Sequence, residues 1–456
     1  MRNVCKVSRI ACLLCEAVHD EAEDRELTAH ASLLPPGHLH ADGARIVAAG
    51  GAPVRLAGVS WYGCEADWTA PGGLDLRSID DICELVIDLG FNHVRLPFSD
   101  AMVLRNPVVT RGLRAMPALQ GRRALDVMDA VIDSAGRHGL KVVLDSHRST
   151  PGWSAQGNGL WYSAEVSPRA WKRSLTLLAR RYAGNDTVVG LDLRNEPGSP
   201  ATNPEEWPRN GGAVWGEPDG PLRLRRRDWA RAAEDAGNAV LACNPDLLVI
   251  VEGVRRDPAG PVFDGATRLY WPGGNLAGVR RPGGRRPAGR PVTLDVPGRL
   301  VYSVHDYGPD MDPGMPWCRP GSTADTPAAC RDVWEQVWGF IAREGIAPVY
   351  VGEFGTPSGL WPSDGRALRD YTDDSSPDPQ TRWLGHLVDY IAELGLSWAC
   401  WPLNGTNSPG GGRDPGAVEG YGIADPQWRE PSNRSLLQRL GAIQGPLRYP
   451  RTHGNE

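Results

Sequence analysis

Val188-Val-Gly-Leu-Asp-Leu-Arg-Asn-Glu-Pro197 closes an unbroken apolar run with an asparagine, a carboxylate and a proline. A run of this kind fits a strand covered on both faces. Pro197 cannot continue a central strand, so the strand stops there and leaves Glu196 at its carboxyl-end rim. A carboxylate at the end of a buried strand is costly to leave unpaired, so it either caps the following helix or has its protonation state put to use. The stretch alone does not choose between the two.

Working outward, the same punctuation recurs along the chain. Two short apolar runs around Gly50-Gly51 read as a hairpin leading into a first buried strand, Val54 to Ser60. Ser78 to Leu89 carries apolar residues near a 3.6-residue period and reads as a helix, and Asn92 to Pro97 reads as a second strand stopped by its proline. Further helices are expected over Ala124–Gly136, Ala170–Tyr182, Trp229–Ala242, Val333–Glu344 and Trp383–Leu394, with one more at Ser435–Leu440. The remaining strands are expected over Leu140–Asp145, 188–195, Leu247–Glu252, Arg299–Val304, Pro348–Glu353 and Ser397–Trp401. Eight apolar strands alternating with amphipathic helices predict an α/β fold, a (β/α)8 barrel with long βα loops. A doubly wound open sheet is the alternative, and no glycine-rich phosphate fingerprint follows the first strand to support it.

The expected layout is a leader over 1–38, a catalytic barrel over 39–448 and a tail over 449–456. The loops Asn203–Arg227, Arg255–Pro297 and Gly308–Ala329 are long for a compact domain, and loops of that length are commonly functional or mobile. Arg280-Arg-Pro-Gly-Gly-Arg-Arg-Pro287 is of low complexity and reads as a solvated flap.

A net charge of −6 gives no footprint for nucleic acid or an anionic membrane. Lys6, Lys141 and Lys172 are the only lysines. Schiff-base chemistry therefore has almost no candidate, and Lys141 falls at the start of its strand, on the wrong face of a barrel. Seventeen tryptophans against five phenylalanines suit a groove whose flat apolar faces stack on sugar rings, with a tryptophan-rich core as the alternative. Cys318 and Cys330 flank a loop-like segment and are read either as a disulfide clip or as two buried thiols. Arg2, Lys6 and Arg9 precede the short apolar run Ile10–Cys15, the order of an export signal, so the segment is read either as a weak export signal, with secretion expected, or as a disordered leader. No stretch is long and apolar enough for a membrane-spanning helix.

Arg95, His147, Asn195 with Glu196, His305 with Tyr307, Glu353 and Trp401 all fall at or near the carboxyl ends of expected strands. In a closed barrel those ends converge, so Glu196 on the fourth strand and Glu353 on the seventh face one another. Two carboxyl groups about 5 Å apart can split a glycosidic bond with retention and need no cofactor or metal. Arg95 beside Glu353 is expected to lower its pKa, and Tyr307 to orient it by a hydrogen bond. His147 and His305 are candidates for substrate contact, and Trp401 for stacking on a sugar face. Glu252, at the end of the fifth strand, is read as a structural acid.

These residues resemble glycoside hydrolase family 5. The resemblance rests on Arg-Leu-Pro at 95–97, Leu-Asp-Ser-His-Arg at 144–148, Leu-Arg-Asn-Glu-Pro at 193–197, Val-His-Asp-Tyr at 304–307 and Gly-Glu-Phe-Gly at 352–355, in that order. It runs from about Leu39 to about Leu440 and is closest to bacterial endo-β-1,4-glucanases in Tyr182–Val189 and Ala236–Val240. It implies a retaining β-glycosidase with Glu196 as acid/base and Glu353 as nucleophile. Asn195 would bind a sugar 2-hydroxyl, Arg95 and Tyr307 would hold the nucleophile, and His147, His305 and Trp401 would line the central sugar subsite. The segments Trp401–Ser408 and Glu419–Trp428 and the basic insertion near 280–290 depart from the endoglucanase pattern and bear on substrate length and linkage. The expected partner is an oligo- or polysaccharide and the expected state a monomer. Mannan, a β-1,3-glucan, a glycolipid, exo action, or a binding barrel without catalysis are the alternatives.

Overall fold

The computed structural model describes residues 33–198, 212–216, 226–255, 270–280, 289–311, 326–359, 368–409 and 413–445. Most of the leader, the 449–456 tail, Cys318 and most of the basic insertion lie outside these residues. Cys330 is buried.

An antiparallel three-stranded sheet comes first: β1 (His40–Asp42), β2 (Arg45–Val47) and β3 (Pro53–Val54). The barrel strands follow as β4 (Ala57–Ser60), β5 (His93–Ser99), β6 (Lys141–Arg148), β7 (Val188–Asp192), β8 (Leu248–Glu252), β9 (Leu300–Tyr307), β10 (Val349–Gly355) and β11 (Ser397–Cys400). All eight pair in parallel with their neighbours in chain order, and β11 closes on β4. Closure gives the expected (β/α)8 barrel and removes the open sheet. Among the described residues the α-helices are α1 (Ile79–Asp88), α2 (Asp100–Arg105), α3 (Ala124–Arg137), α4 (Pro168–Arg181), α5 (Trp229–Leu241), α6 (Pro327–Trp334), α7 (Phe340–Arg343), α8 (Pro379–Leu394) and α9 (Arg434–Gln444).

Local chemistry explains most boundaries. Ser78 caps α1 and exchanges hydrogen bonds with Asp81 in a capping box. Ser167 caps α4 with Pro168 at its first position, and Asp378 and Pro379 repeat the device on α8. The hairpin at Gly50-Gly51 forms as expected, but β3 belongs to the small sheet and the barrel strand begins only at Ala57. That sheet lies under the amino-terminal end of the barrel, where Ala41 N–H donates to Gly298 O at 2.8 Å, just before β9.

Pro97 does not stop β5, contrary to the sequence reading; the strand runs on to Ser99. Arg95 O accepts the Trp61 N–H, so the backbone nitrogen two residues later faces the same side, where β4 has already ended at Ser60. A proline there leaves no ladder bond unmade. The helix expected over Val333–Glu344 starts earlier, at Pro327, and passes through a π turn at Glu335–Gly339. A Cβ on Gly339 would collide with the Tyr390 hydroxyl, which donates to Glu335 at 2.7 Å, so the wider turn makes room for that bond.

The tryptophans are mostly core. Trp61, Trp215, Trp229, Trp334, Trp338, Trp383, Trp398 and Trp428 are fully buried side chains, packed between strands and helices. Their abundance reflects the outer layer of the barrel far more than a sugar groove.

Candidate active site

Arg95 is the hub of the carboxyl-end mouth, and its side chain has no exposure. Its Nη1 donates to Glu353 Oε2 at 3.0 Å and its Nη2 to Asn195 Oδ1 at 2.8 Å. The same Nη2 lies 3.1 Å from Asp145, 3.3 Å from Glu252 and 3.5 Å from Asp192. A buried guanidinium is stable only when so paired. Carboxylate oxygens of Asp145, Asp192 and Glu252 fall within 4.8 Å of one another, and buried acids this close share protons. Burial, with Glu252 and Asp145 beside it, raises Asp192 well above the carboxylate range. Asp145 is lowered, because Arg95 and His147 outweigh its burial.

Glu353 reaches the lumen through a register shift. Val351 pairs with Val304 and Glu353 with His305, so Gly352 is an extra residue on β10. A Cβ at Gly352 would stand 2.4 Å from Ser303 Oγ, which makes glycine the residue that permits the shift. Both Glu353 oxygens are held: Arg95 donates to Oε2, and Tyr307 Oη donates to Oε1 at 2.8 Å. Burial and the neighbouring Glu196 raise its pKa, while His305, Arg95 and His147 pull it down. Arg95 therefore acts in the expected direction, but burial outweighs it and the net shift is upward.

Glu196 sits just past β7 with φ +49°, left-handed backbone that a non-glycine residue adopts at a cost of roughly 1–3 kcal/mol. Its N–H donates to Glu252 Oε2 at 2.7 Å, which pins that conformation. Its Oε1 accepts from Trp271 Nε1 at 2.8 Å and lies 3.2 Å from His305 Nδ1. The other His305 nitrogen is 3.1 Å from Glu252. Burial pulls His305 down, but Glu252 and Glu353 outweigh it and hold the ring charged. Oxygens of Glu196 and Glu353 and a nitrogen of His305 all lie within 4.8 Å of one another. A charged imidazolium has no lone pair to offer a metal ion, and Arg95 and Tyr307 already occupy both Glu353 oxygens.

His147 bonds Asp145 through Nδ1 at 2.7 Å, and that carboxylate overcomes burial to raise the histidine. Trp401 stacks on His147 with centroids 5.5 Å apart and on Tyr62 at 5.2 Å. Lys141 is at the opposite end of β6 and bonds Asp186 O at 2.8 Å.

All the residues singled out in sequence thus gather at one mouth: Glu196 and Glu353 face to face, Arg95, Asn195 and Tyr307 bonded around them, and His147 with Trp401 to one side. His305 has no exposure; it lies between Glu196 and Glu252. Sequence reasoning missed Asp145, Asp192 and Trp271, and understated Glu252, which fixes the Glu196 backbone. Two of these carried a signal, since an acid inside an apolar strand demands a partner. Trp271 carried none, because it arrives from a loop without periodicity.

A closed parallel barrel with two carboxyl groups this close at its mouth defines a glycoside hydrolase of the two-carboxylate class. The chain belongs to the cellulase family, glycosyl hydrolase family 5, whose profile matches residues 47–407. It is 36% identical over 378 residues to an endoglucanase of Paenibacillus polymyxa, covering 82% of each chain. It is 31% identical to the major extracellular endoglucanase of Xanthomonas campestris, over 81% of this chain and 65% of that one. Among solved structures it resembles the endocellulase of Pyrococcus horikoshii in complex with cellotetraose, with a TM-score of 0.71 and 27% identity over 90% of this chain and all of the other.

Proposed function

We propose that the protein is a retaining endo-β-1,4-glucanase in which Glu353 is the nucleophile and Glu196 the general acid and base. The observation that carries this is the pair itself: two carboxyl oxygens within 4.8 Å, held by different partners. Retention calls for carboxyl groups about 5–5.5 Å apart, and inversion for about 6.5–9.5 Å to admit a water.

The partners support these roles. Glu353 accepts hydrogen bonds on both oxygens from donors that favour its anion, as a nucleophile needs. Glu196 accepts from the Trp271 indole, lies beside His305 and stands on the opposite wall, where it can exchange a proton with the glycosidic oxygen. In the first step a Glu353 oxygen bonds to the anomeric carbon as the bond to the glycosidic oxygen breaks, and the proton of Glu196 passes to that oxygen. In the second step Glu196 takes a proton from water, the water oxygen bonds to the anomeric carbon, and the bond to Glu353 breaks. With its Oδ1 held by Arg95, Asn195 presents its amide N–H₂ to the sugar as a donor. Trp401, stacked on His147, gives the sugar bound to Glu353 an apolar side wall, and His305 supports Glu196 from below.

The β-1,4-glucan assignment is supported by the endoglucanase relatives and by the cellotetraose bound to the archaeal neighbour. Action outside the cell is supported by the charged-then-apolar order of residues 2–15 and by the extracellular Xanthomonas relative. The test is product analysis on soluble β-1,4-glucan, with mannan and β-1,3-glucan alongside. Oligosaccharides of mixed length with β-configured new reducing ends are expected. Release of monosaccharide or disaccharide alone overturns endo action, α-configured products overturn retention, and preference for another glycan overturns the linkage.

A further inference from the structure

Of the tryptophans among the described residues, Trp153 alone is exposed, at 39%. It lies in the loop after β6, on the rim of the same mouth. A single exposed indole carries little meaning by itself. This one, however, is tied to the site by a buried charged linkage.

Arg413, in the loop after β11, sets its guanidinium 4.7 Å from the centroid of the Trp153 ring and 5.8 Å from that of Tyr62. Arg413 Nη1 donates to the Tyr62 hydroxyl at 3.0 Å and to Glu419 Oε2 at 2.7 Å. The Tyr62 hydroxyl donates to the same Glu419 oxygen at 2.6 Å. Glu419 is 3% exposed and Tyr62 1%, so both are supports rather than contact surfaces. Tyr62 in turn stacks on Trp401, and Trp401 on His147. Two partly exposed indoles, Trp401 beside the carboxyl pair and Trp153 at the rim, are thus joined through buried Tyr62 and Glu419.

We propose that Trp153 and Arg413 form a distal sugar subsite that binds a β-linked glucosyl unit several positions from the bond that is cut. Trp153 offers a flat face to the ring, Arg413 offers N–H donors to its hydroxyls, and Glu419 is a positioning residue that holds Arg413 over the indole. A cation fixed over one face of an aromatic ring orders it before ligand arrives, which lowers the entropy lost on binding. Trp401 and Tyr62 follow β11 and β4, whereas Trp153 follows β6, next to β7 with its Glu196, so the line of rings runs around the rim of the mouth from one catalytic wall toward the other. Glu419 opens a segment in which the chain departs from the endoglucanase pattern, so the positioning residue of this subsite belongs to this chain's own loops.

The inference rests on the proposed function, and the experiment separates their failures. The kcat/KM of the full chain is measured on cellohexaose and on p-nitrophenyl β-cellobioside, which is too short to reach the rim. Trp153→Ala is expected to lower the ratio of long to short substrate about tenfold, and Trp153→Tyr to restore most of it. Glu419→Gln is expected to act in the same direction, through KM rather than kcat. Binding of cellohexaose by calorimetry in the Glu353→Ala background gives a readout that does not depend on turnover, and adding Trp153→Ala is expected to weaken it about tenfold as well. If the wild type cuts both compounds and the ratio stays within about twofold in Trp153→Ala, the subsite is wrong and the glucanase reading stands. If the wild type cuts neither, the glucanase reading falls and takes the subsite with it.

Discussion

The two ends of the barrel lumen are built from the same strands and have opposite chemistry. At the amino-terminal end Val143, Val189, Leu248, Ile250, Val301, Tyr350 and Ala399 form an apolar plug, sealed below by Leu39, Ile46 and Leu56 from the small sheet and its link to β4. Two to four residues further along the same strands stand Asp145, Asp192, Glu252, His305 and Glu353, the four acids gathered on Arg95 and His305 joined to them through Glu252. The lower half gains stability chiefly from burial, at about 1.5–3 kcal/mol for each large side chain. The upper half gains little net stability from its ion pairs and keeps charge where a reaction can use it. Substitutions below should therefore change stability and leave turnover intact, and substitutions above should do the reverse.

The largest effects are expected at the top. Glu353→Ala should lower kcat roughly 10⁴-fold or more on every substrate, since no covalent intermediate can form. Wild-type turnover in this variant removes the nucleophile assignment. Glu196→Gln should cost about 10²–10⁴ in kcat on unactivated glucan. On an aryl glycoside whose leaving group needs no proton, the loss in the first step should largely vanish. An equal loss on both substrates means that Glu196 is not the acid.

Arg95→Met probes where the contrast should break. Removing the hub leaves Asp145, Glu252 and Glu353 buried without their counter-charge, so this upper-end change is expected to cost about 3–5 kcal/mol of stability in addition to turnover. Denaturant midpoints and kcat measured on the same preparation separate the two losses. Asp306 sharpens the contrast differently: it is one residue from His305 on β9 but faces the helices, bonded by Tyr270 at 2.8 Å and by Trp334. Burial pushes its carboxyl up to about 7. Because the folded value lies above the unfolded value of about 3.9, its contribution is fully present below pH 4 and is lost as pH rises through 7. Replacing it by asparagine should remove a pH-dependent loss of about 2–4 kcal/mol between those limits, read from urea denaturation at pH 5 and pH 8. Parallel stability curves for wild type and Asp306→Asn overturn this.

The sequence makes the barrel legible because a parallel strand covered on both faces must be apolar throughout, and eight such runs recur between helical periods. It makes Glu196 and Glu353 legible for the complementary reason, since each is a carboxylate where such a run ends. It does not disclose how either side chain is aimed. Glu353 depends on the extra residue Gly352, and Glu196 on a left-handed backbone pinned by Glu252. Both devices pair residues from different strands, so no local pattern encodes them. The tryptophan count misleads for a related reason: composition cannot tell an indole beneath a helix from one beside a sugar.

The smallest expected effect tests the lower half most cleanly. On β8, Ile250 extends its Cδ1 to 3.0 Å from where a Cβ on Gly190 of β7 would lie. Ile250→Val removes that methyl and should cost about 0.5–1.5 kcal/mol, with kcat unchanged. Gly190→Ala alone should also destabilise, because the new Cβ meets Cδ1 closer than ordinary contact and stands 3.4 Å from Leu248 O. Together the two changes exchange one methyl for another in the same space. The double variant should therefore be more stable than the sum of the single losses predicts, by about 0.5 kcal/mol or more. Additive losses mean that the plug relaxes around each change independently. A fall in kcat in the double variant means that packing at the closed end reaches the carboxyl pair, and that the two halves of the lumen are not separate.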